Sequence, residues 1–276
     1  MIKDVAVHLT GSREDAARIA HAAGLARTLD AHLTGIYVHQ LPDILSITDP
    51  SGSAFLQRLV EQSVAQAEAT TKALDSTFGQ LGLSYELRRL DVYPGEVGSE
   101  LASEARQSDL FVGTRPYGDP NKGQWIEEAV LFQSGRPCLF LPPSFQGRDT
   151  YDNVLVAWRN TREAARAVAD AVPLLKKAKS VVVAIVDEQL GAAEEQRRAP
   201  DEDIGRYLSR HGIGAEVHII DGWTSTGAAL RNEAVRTAAD LIVMGAYGHS
   251  RLREWMLGGA TRDILSSATV PVLVAH

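Results

Sequence analysis

The sequence contains very little cysteine and no long hydrophobic run. Its single cysteine, Cys138, cannot form an internal disulfide, and its apolar surroundings favour a small core residue over a reactive thiol. The longest apolar run, residues 181–186, is too short to cross a bilayer. Residues 1–4 carry charge where a secretory signal would be apolar. We therefore expect a cytoplasmic protein that does not bind membranes.

Signatures of several enzyme and metal-binding classes are also absent. The eight histidines never occur with H-x-x-x-H or H-E-x-x-H spacing, so scattered histidines are favoured over a metal site assembled in three dimensions. The chain has no Walker A motif, no G-x-G-x-x-G motif and no G-x-S-x-G elbow. The formal net charge of −7 disfavours nucleic-acid binding, because an acidic surface repels phosphate backbones.

The sequence does contain a repeat. Five strand-like segments recur in the same order: residues 2–9, 33–38, 84–90, 109–112 and 136–141, then 153–158, 181–186, 215–220, 240–243 and 270–274. Helical patterns lie between them in both halves of the chain: residues 13–30 and 55–81, then 162–177 and about 194–211. Self-similarity of this kind indicates two copies of one structural unit.

The order of the elements predicts the fold class. Strands that alternate with helices indicate βαβ units around a parallel sheet, and strands that are apolar on both faces indicate helices on both sides. The segment from Pro142 to Arg148 contains Pro-Pro and Gly147, which favour a linker. We predict an α/β fold of two doubly wound units, a first repeat over residues 1–143 and a second repeat over residues 151–276.

The first helix of each repeat has a capping signal. Ser12 precedes Asp15 by three residues, and Asn160 precedes Glu163 by three. Polar side chains at this spacing satisfy the free N–H groups of a first helical turn. Ser12 and Asn160 are therefore predicted to start these helices.

The chemistry of the chain is concentrated near its second-repeat glycines. A strand ends at Gly245, Gly248 follows three residues later, and Gly258 and Gly259 open a helix after nine more residues. Glycine lets a backbone approach an anion closely, and a helix N-terminus offers free N–H groups with partial positive charge. Ligands of open α/β sheets bind beyond the carboxyl ends of the strands, where this loop must lie. Either the loop holds a phosphate, or its glycines only make a tight turn and start a helix.

This spacing resembles the glycine loop of ATP-binding universal stress proteins. The flanking segments 240–245 and 270–274 are similar to the fourth and fifth strands of that family. The resemblance covers the second repeat well and the first repeat more loosely, which indicates a tandem member. It implies a five-stranded parallel sheet in each repeat, with helices on both faces and pairing of the two repeats through their last strands. A homodimer is a further assembly that it allows.

The resemblance also implies an adenine nucleotide of the ATP class, with Mg²⁺ as its companion. The nucleotide would lie against the glycine loop and the strand ends, at Ala157, Trp158, Val186, Met244, Gly245, Gly248, His249, Gly258, Gly259, Ala260 and Thr261. Nearby basic residues either offset phosphate charge or form ordinary salt bridges in a solvated loop; they are His249, Arg251, Arg253 and Arg262.

Three departures from the family pattern limit this inference. Gly259 stands where the family usually has Ser or Thr, so that only Thr261 could supply the hydroxyl. Neither repeat has the acidic residue that often follows the first strand, and Trp158 there could stack on a base or fill the base pocket itself. In the first repeat, residues 113–118 have two glycines at a different spacing and include Pro116, which has no N–H donor. We therefore expect the first repeat to be a structural partner that binds no nucleotide in this way.

These observations favour a stress-response protein that acts by ligand-linked change of shape or assembly. We expect at most slow ATP hydrolysis, because no base or Mg²⁺ carboxylate has a convincing position; Asp221 and Asp240 could be metal neighbours or ordinary strand-end residues. The alternative is a ligand-free tandem scaffold that works through protein contacts. An adenylate-forming enzyme is disfavoured, because neither repeat has a phosphate loop after its first strand.

Overall fold

The computed structural model describes residues 1–43, 53–117, 125–143, 145, 147–187, 203–246 and 259–276. The strands are β1 (Asp4–Leu9), β2 (His32–Gln40), β3 (Tyr85–Val92), β4 (Leu110–Thr114), β5 (Cys138–Leu141), β6 (Asn153–Ala157), β7 (Ser180–Val186), β8 (Glu216–Ile220), β9 (Leu241–Gly245) and β10 (Val272–Ala275). The helices are α1 (Asp15–Leu29), α2 (Ser53–Gly79), α3 (Val97–Ala105), α4 (Trp125–Gln133), α5 (Arg162–Leu175), α6 (203–210), α7 (Thr226–Arg236) and α8 (Gly259–Ser267).

The ten strands form one sheet in the order β3-β2-β1-β4-β5-β10-β9-β6-β7-β8. Within each group of five strands, every pairing is parallel. The two groups join through β5 and β10, which pair antiparallel with Leu139 opposite Leu273. The predicted α/β fold, with two five-stranded parallel sheets paired through their last strands, is confirmed. The domain limits 1–143 and 151–276 stay a prediction.

The antiparallel junction places the carboxyl ends of β1–β5 and those of β6–β10 at opposite edges of the sheet. In each repeat the chain order along the sheet reverses between the first and the fourth strand, which are β1 and β4 or β6 and β9. Open α/β sheets form a crevice at such a switch point. The two crevices therefore open on opposite edges of the molecule.

Two hydrophobic clusters cover the two faces of the sheet. The cluster on one face includes residues of α1, α2, α5 and α6, and the cluster on the other includes residues of α3, α4, α7 and α8. We call these sides the α1 face and the α3 face. Cys138 is fully buried on the α3 face, as predicted, and burial raises the pKa of its thiol.

The predicted helix caps shift by one or two residues. In α5 the cap is Thr161, whose hydroxyl accepts a hydrogen bond from the Ala164 N–H at 3.3 Å; Asn160 does not take this role. In α1, Glu14 occupies the cap position without a side-chain bond. The buried Asp15 carboxylate instead turns back to accept the N–H groups of Thr10 and Gly11 at the end of β1.

Candidate functional site

The second-repeat crevice lies beyond the carboxyl ends of β6 and β9. Ala157 and Met244 are register partners at the ends of these strands, and the Trp158 N–H donates to the Ala184 carbonyl of β7 at 2.9 Å. Val186 ends β7 two residues farther on. The structure therefore brings the four predicted strand-end residues Ala157, Trp158, Val186 and Met244 to one edge of three neighbouring strands.

These four residues divide between the two faces of the sheet. Ala157, Val186 and Met244 pack into the cluster of the α3 face. Trp158 is half-buried and packs against the cluster of the α1 face. Its indole Nε1 is buried and has no hydrogen-bond partner among the described residues. A buried N–H donor without an acceptor is unfavourable, so this position favours an acceptor from a ligand or from water.

Gly245 lies against the first turn of α5. A Cβ on Gly245 would come within 2.4 Å of the Ala164 backbone nitrogen and 2.6 Å of the Glu163 carbonyl carbon. Any larger residue would therefore have to move backbone atoms, since neither neighbour is a flexible side chain. The glycine allows the end of β9 and the start of α5 to meet at the crevice.

The start of α8 supplies the other wall. Gly259 and Ala260 are its first two residues, and Thr261, the third, is buried with 5% of its surface exposed to solvent. Apart from its two sequence neighbours and the nearby backbone of α8 itself, no described atom lies within 4 Å of a Cβ placed on Gly259. The space beside this helix N-terminus is therefore open within the described part of the chain. Gly248, His249 and Gly258 lie outside the described residues.

Glu163 is a residue at this edge that the sequence analysis treated only as part of a cap. Its side chain is 3% exposed and pairs with Arg162. Burial acts to raise the pKa of Glu163, but hydrogen bonds from Arg162, the backbone and Thr161 outweigh it and hold the pKa below its usual value. An ionised carboxylate therefore lies in the helix turn that contacts Gly245.

Comparison with known proteins identifies the second repeat. The family model described as the universal stress protein family matches residues 150–276. Residues 150–276 are a universal stress protein domain. The resemblance read from the glycine loop is confirmed for this part of the chain.

Relatives and solved structures extend the likeness. The chain is 28% identical over 158 residues to the universal stress protein Slr1230 of Synechocystis, a match that covers 53% of this chain and only 49% of that relative. A universal stress protein from Archaeoglobus fulgidus superposes with a TM-score of 0.77 at 19% identity, covering 99% of this chain and 95% of the other. A putative universal stress protein from Pseudomonas aeruginosa superposes with a TM-score of 0.64 at 16% identity, covering 99% of this chain and 93% of the other. At these identities the structures show a shared fold.

The first repeat has different side chains at the positions that correspond to the crevice of the second repeat. His8 takes the place of Ala157 in the strand register, and Glu127 is the third residue of its nine-residue helix, as Thr261 is in α8. His8 is 2% exposed, and its Nδ1 lies 3.6 Å from a Glu127 carboxylate oxygen. A carboxylate therefore stands in the first repeat where the second repeat has a hydroxyl.

Asp240 lies far from this crevice, at the amino end of β9. Its carboxylate accepts bonds from Arg148 Nη1 at 2.9 Å, the Asp152 N–H at 2.9 Å and the Asn153 N–H at 3.0 Å. A cavity of about 320 Å³ opens beside it, lined in part by Phe145. Asp240 thus ties the starts of β6 and β9 together and cannot serve a metal in the glycine loop.

No cluster of three or more His, Cys, Asp or Glu side chains suited to a metal ion occurs within the described ranges. In the same part of the chain, each helix is too short or too polar to span a bilayer.

Proposed function

We propose that the second repeat binds an adenine nucleotide of the ATP class in the β6–β9 crevice. The observation that carries this proposal is the N-terminus of α8, the helix that follows β9 along the chain, with Gly259 at its start and Thr261 in its first turn. Free N–H groups and the helix dipole favour an anion at such an end. The choice of ligand class rests on the resemblance of the glycine spacing to the loop of ATP-binding universal stress proteins.

The phosphates and ribose would lie between the end of β9 and the start of α8. The N–H groups of Gly259 and Ala260 and the Thr261 hydroxyl are the described donors, and Gly245, Gly248 and Gly258 would let the loop backbone approach. His249 would offset phosphate charge in a chain whose net charge is −7, whereas the Arg262 guanidinium lies over the Tyr117 ring of the first repeat.

The adenine would lie against the strand ends. Ala157, Val186 and Met244 present an apolar surface on the α3 face. Trp158 either stacks on the base or fills space that a base would occupy. Glu163 carries an ionised carboxylate in the α5 turn that contacts Gly245, but its side chain is 3% exposed and paired with Arg162, so it offers Mg²⁺ no free ligand.

Binding would act through conformation or assembly, with hydrolysis slow at most. We propose a cytoplasmic stress-response protein whose first repeat serves as internal partner, with a homodimer as a further assembly. The second candidate function is a ligand-free scaffold, which is favoured by the packing of Trp158 into the core and by Glu127 in the first repeat.

The direct test is an equilibrium titration of the full chain with ATP and with AMP. We expect saturable binding of ATP, weakened severalfold by Thr261→Val, which removes one hydroxyl and keeps the shape of the side chain. Ser267→Ala is the matched control, because the Ser267 hydroxyl bonds within the far end of α8, to the Asp263 carbonyl. Absence of saturable binding at millimolar nucleotide would support the scaffold instead.

A further inference from the structure

Two first-repeat residues contact α8, the helix whose N-terminus forms the proposed phosphate site. Arg115 Nη1 donates to the Ala268 carbonyl, just beyond the last residue of the helix, at 3.0 Å. The guanidinium carbon of Arg262, in the first half of the helix, lies 5.5 Å from the centre of the Tyr117 ring. The first repeat thus contacts α8 near its middle and just beyond its C-terminus.

Both first-repeat residues are held by their own surroundings. Tyr117 is 3% exposed and belongs to the α3-face cluster that also contains Ile264 and Leu265 of α8. The Arg115 N–H donates to the Leu141 carbonyl at the end of β5, at 2.9 Å. Because β5 pairs with β10, these residues are fixed relative to the strand that follows α8.

The physical effect on α8 is favourable at each contact. A guanidinium at a helix C-terminus pairs with a carbonyl that the helix leaves free and with the negative end of its dipole. A guanidinium over a tyrosine ring gains from the charge distribution of the ring. The two contacts therefore favour one position and one orientation of α8 relative to the sheet.

Arg115 and Tyr117 lie in one segment of the first repeat, directly after β4. Thr114 aligns with Gly245, so that Arg115 and Tyr117 occupy the segment that would begin the glycine loop in the first repeat. We propose that this segment is a support for the second repeat, in which Arg115 and Tyr117 are positioning residues for α8 and for nucleotide phosphates at its N-terminus. The part that concerns phosphate rests on the proposed function.

The test uses the full chain with Arg115→Met and Tyr117→Leu, separately and together. We expect the double variant to bind ATP about three- to tenfold more weakly while its affinity for adenosine changes less than twofold, since adenosine lacks the phosphates that the α8 N-terminus would hold. Arg115→Lys and Tyr117→Phe should restore most of the ATP affinity. Arg106→Met is the matched control, because Arg106 bonds the Gln133 carbonyl at the end of α4 in the same manner but within the first repeat.

Hydrogen exchange of the α8 amides separates this inference from the proposed function. In nucleotide-free protein we expect faster exchange over residues 260–267 in the double variant and unchanged exchange in Arg106→Met. If wild type binds no nucleotide, the proposed function fails, and faster exchange still supports the positioning of α8. Unchanged α8 exchange, or equal losses of ATP and adenosine affinity, would overturn the inference.

Discussion

Gly245 and Ala164 meet so closely that a single methyl group on Gly245 would lie 2.4 Å from the Ala164 nitrogen. This contact joins the end of β9 to the first turn of α5. It gives Gly245 a packing role that is independent of any ligand. A substitution at Gly245 therefore alters the packing of β9 against α5, and a loss of binding in such a variant would not by itself show a ligand contact.

Substitution at Gly245 should therefore destabilise the protein. We expect Gly245→Ala to lower the free energy of unfolding by about 1–3 kcal/mol, because backbone atoms must move to admit the new methyl group. Gly259→Ala is the control: among the described residues, nothing beyond its immediate neighbours lies within 4 Å of its Cβ position, and a helix tolerates alanine better than glycine. Urea denaturation measures both, and equal effects of the two variants would contradict the packing role.

His21 should make stability depend on pH. It is fully buried in α1, its Nδ1 accepts the Arg148 N–H at 3.1 Å, and its Nε2 lies 2.6 Å from the Tyr151 hydroxyl oxygen. Burial lowers the pKa of His21 from 6.5 to about 4. The unfolded chain thus binds more protons between pH 6.5 and pH 4, so stability is complete above this window and falls as pH falls through it.

The size of this effect is bounded by the change in pKa, at about 3 kcal/mol. Urea denaturation at pH 7 and pH 4.5 should show a smaller pH-dependent loss in His21→Gln than in wild type, since glutamine does not titrate. Carboxylates contribute equally to both proteins and cancel in the difference. An identical pH dependence in the two proteins would rule out His21 as the source.

Cys138 should be unreactive in the folded protein. It is fully buried at the junction between the repeats, opposite Val274, and burial raises the pKa of its thiol. A thiol reagent at pH 8 should modify the native protein only at the rate of unfolding, and the denatured protein at once. Rapid modification without unfolding would show that the junction opens.

Asp240 should contribute more to stability than an exposed carboxylate. Asp240→Ala leaves two backbone N–H groups and Arg148 without their acceptor, which should cost about 3 kcal/mol. Asp203 is the comparison, because its side chain is 75% exposed and pairs with Arg206 across the surface of α6. Asp203→Ala should change the free energy of unfolding by less than about 1 kcal/mol, and a similar loss in both variants would contradict the assigned role.

The parts of the fold predicted from sequence are those encoded by local patterns. Alternating strands and helices, together with the repeat, indicated the parallel sheets, and the strand predicted over residues 136–141 ends at Leu141 as predicted but begins at Cys138. The pairing of β5 with β10 came from the family resemblance, because no local pattern distinguishes one sheet edge from another.

The roles of single residues were harder to predict, since they depend on contacts between distant segments. Asn160 and Thr161 are both acceptable caps, and the geometry of the turn selects Thr161. The contact between Gly245 and α5 depends on three-dimensional packing, and the exchange of Thr261 for Glu127 becomes visible only when α4 and α8 are compared. The recurrence of Asp109 and Asp240 before the fourth strand was a signal that could have revealed their shared role: Asp109 likewise accepts the N–H of Asp4, at 3.1 Å.

The most direct test of the account is to locate bound ATP by amide chemical shifts in the isotope-labelled full chain. We expect the shifts to change at Ala260 and Thr261 and at the end of β9, with saturation at millimolar ATP or below. The amides of Ile126 and Glu127, at the corresponding place in the first repeat, should stay unchanged. Changes centred on the first repeat, or no saturable change at α8, would contradict nucleotide binding by the second repeat.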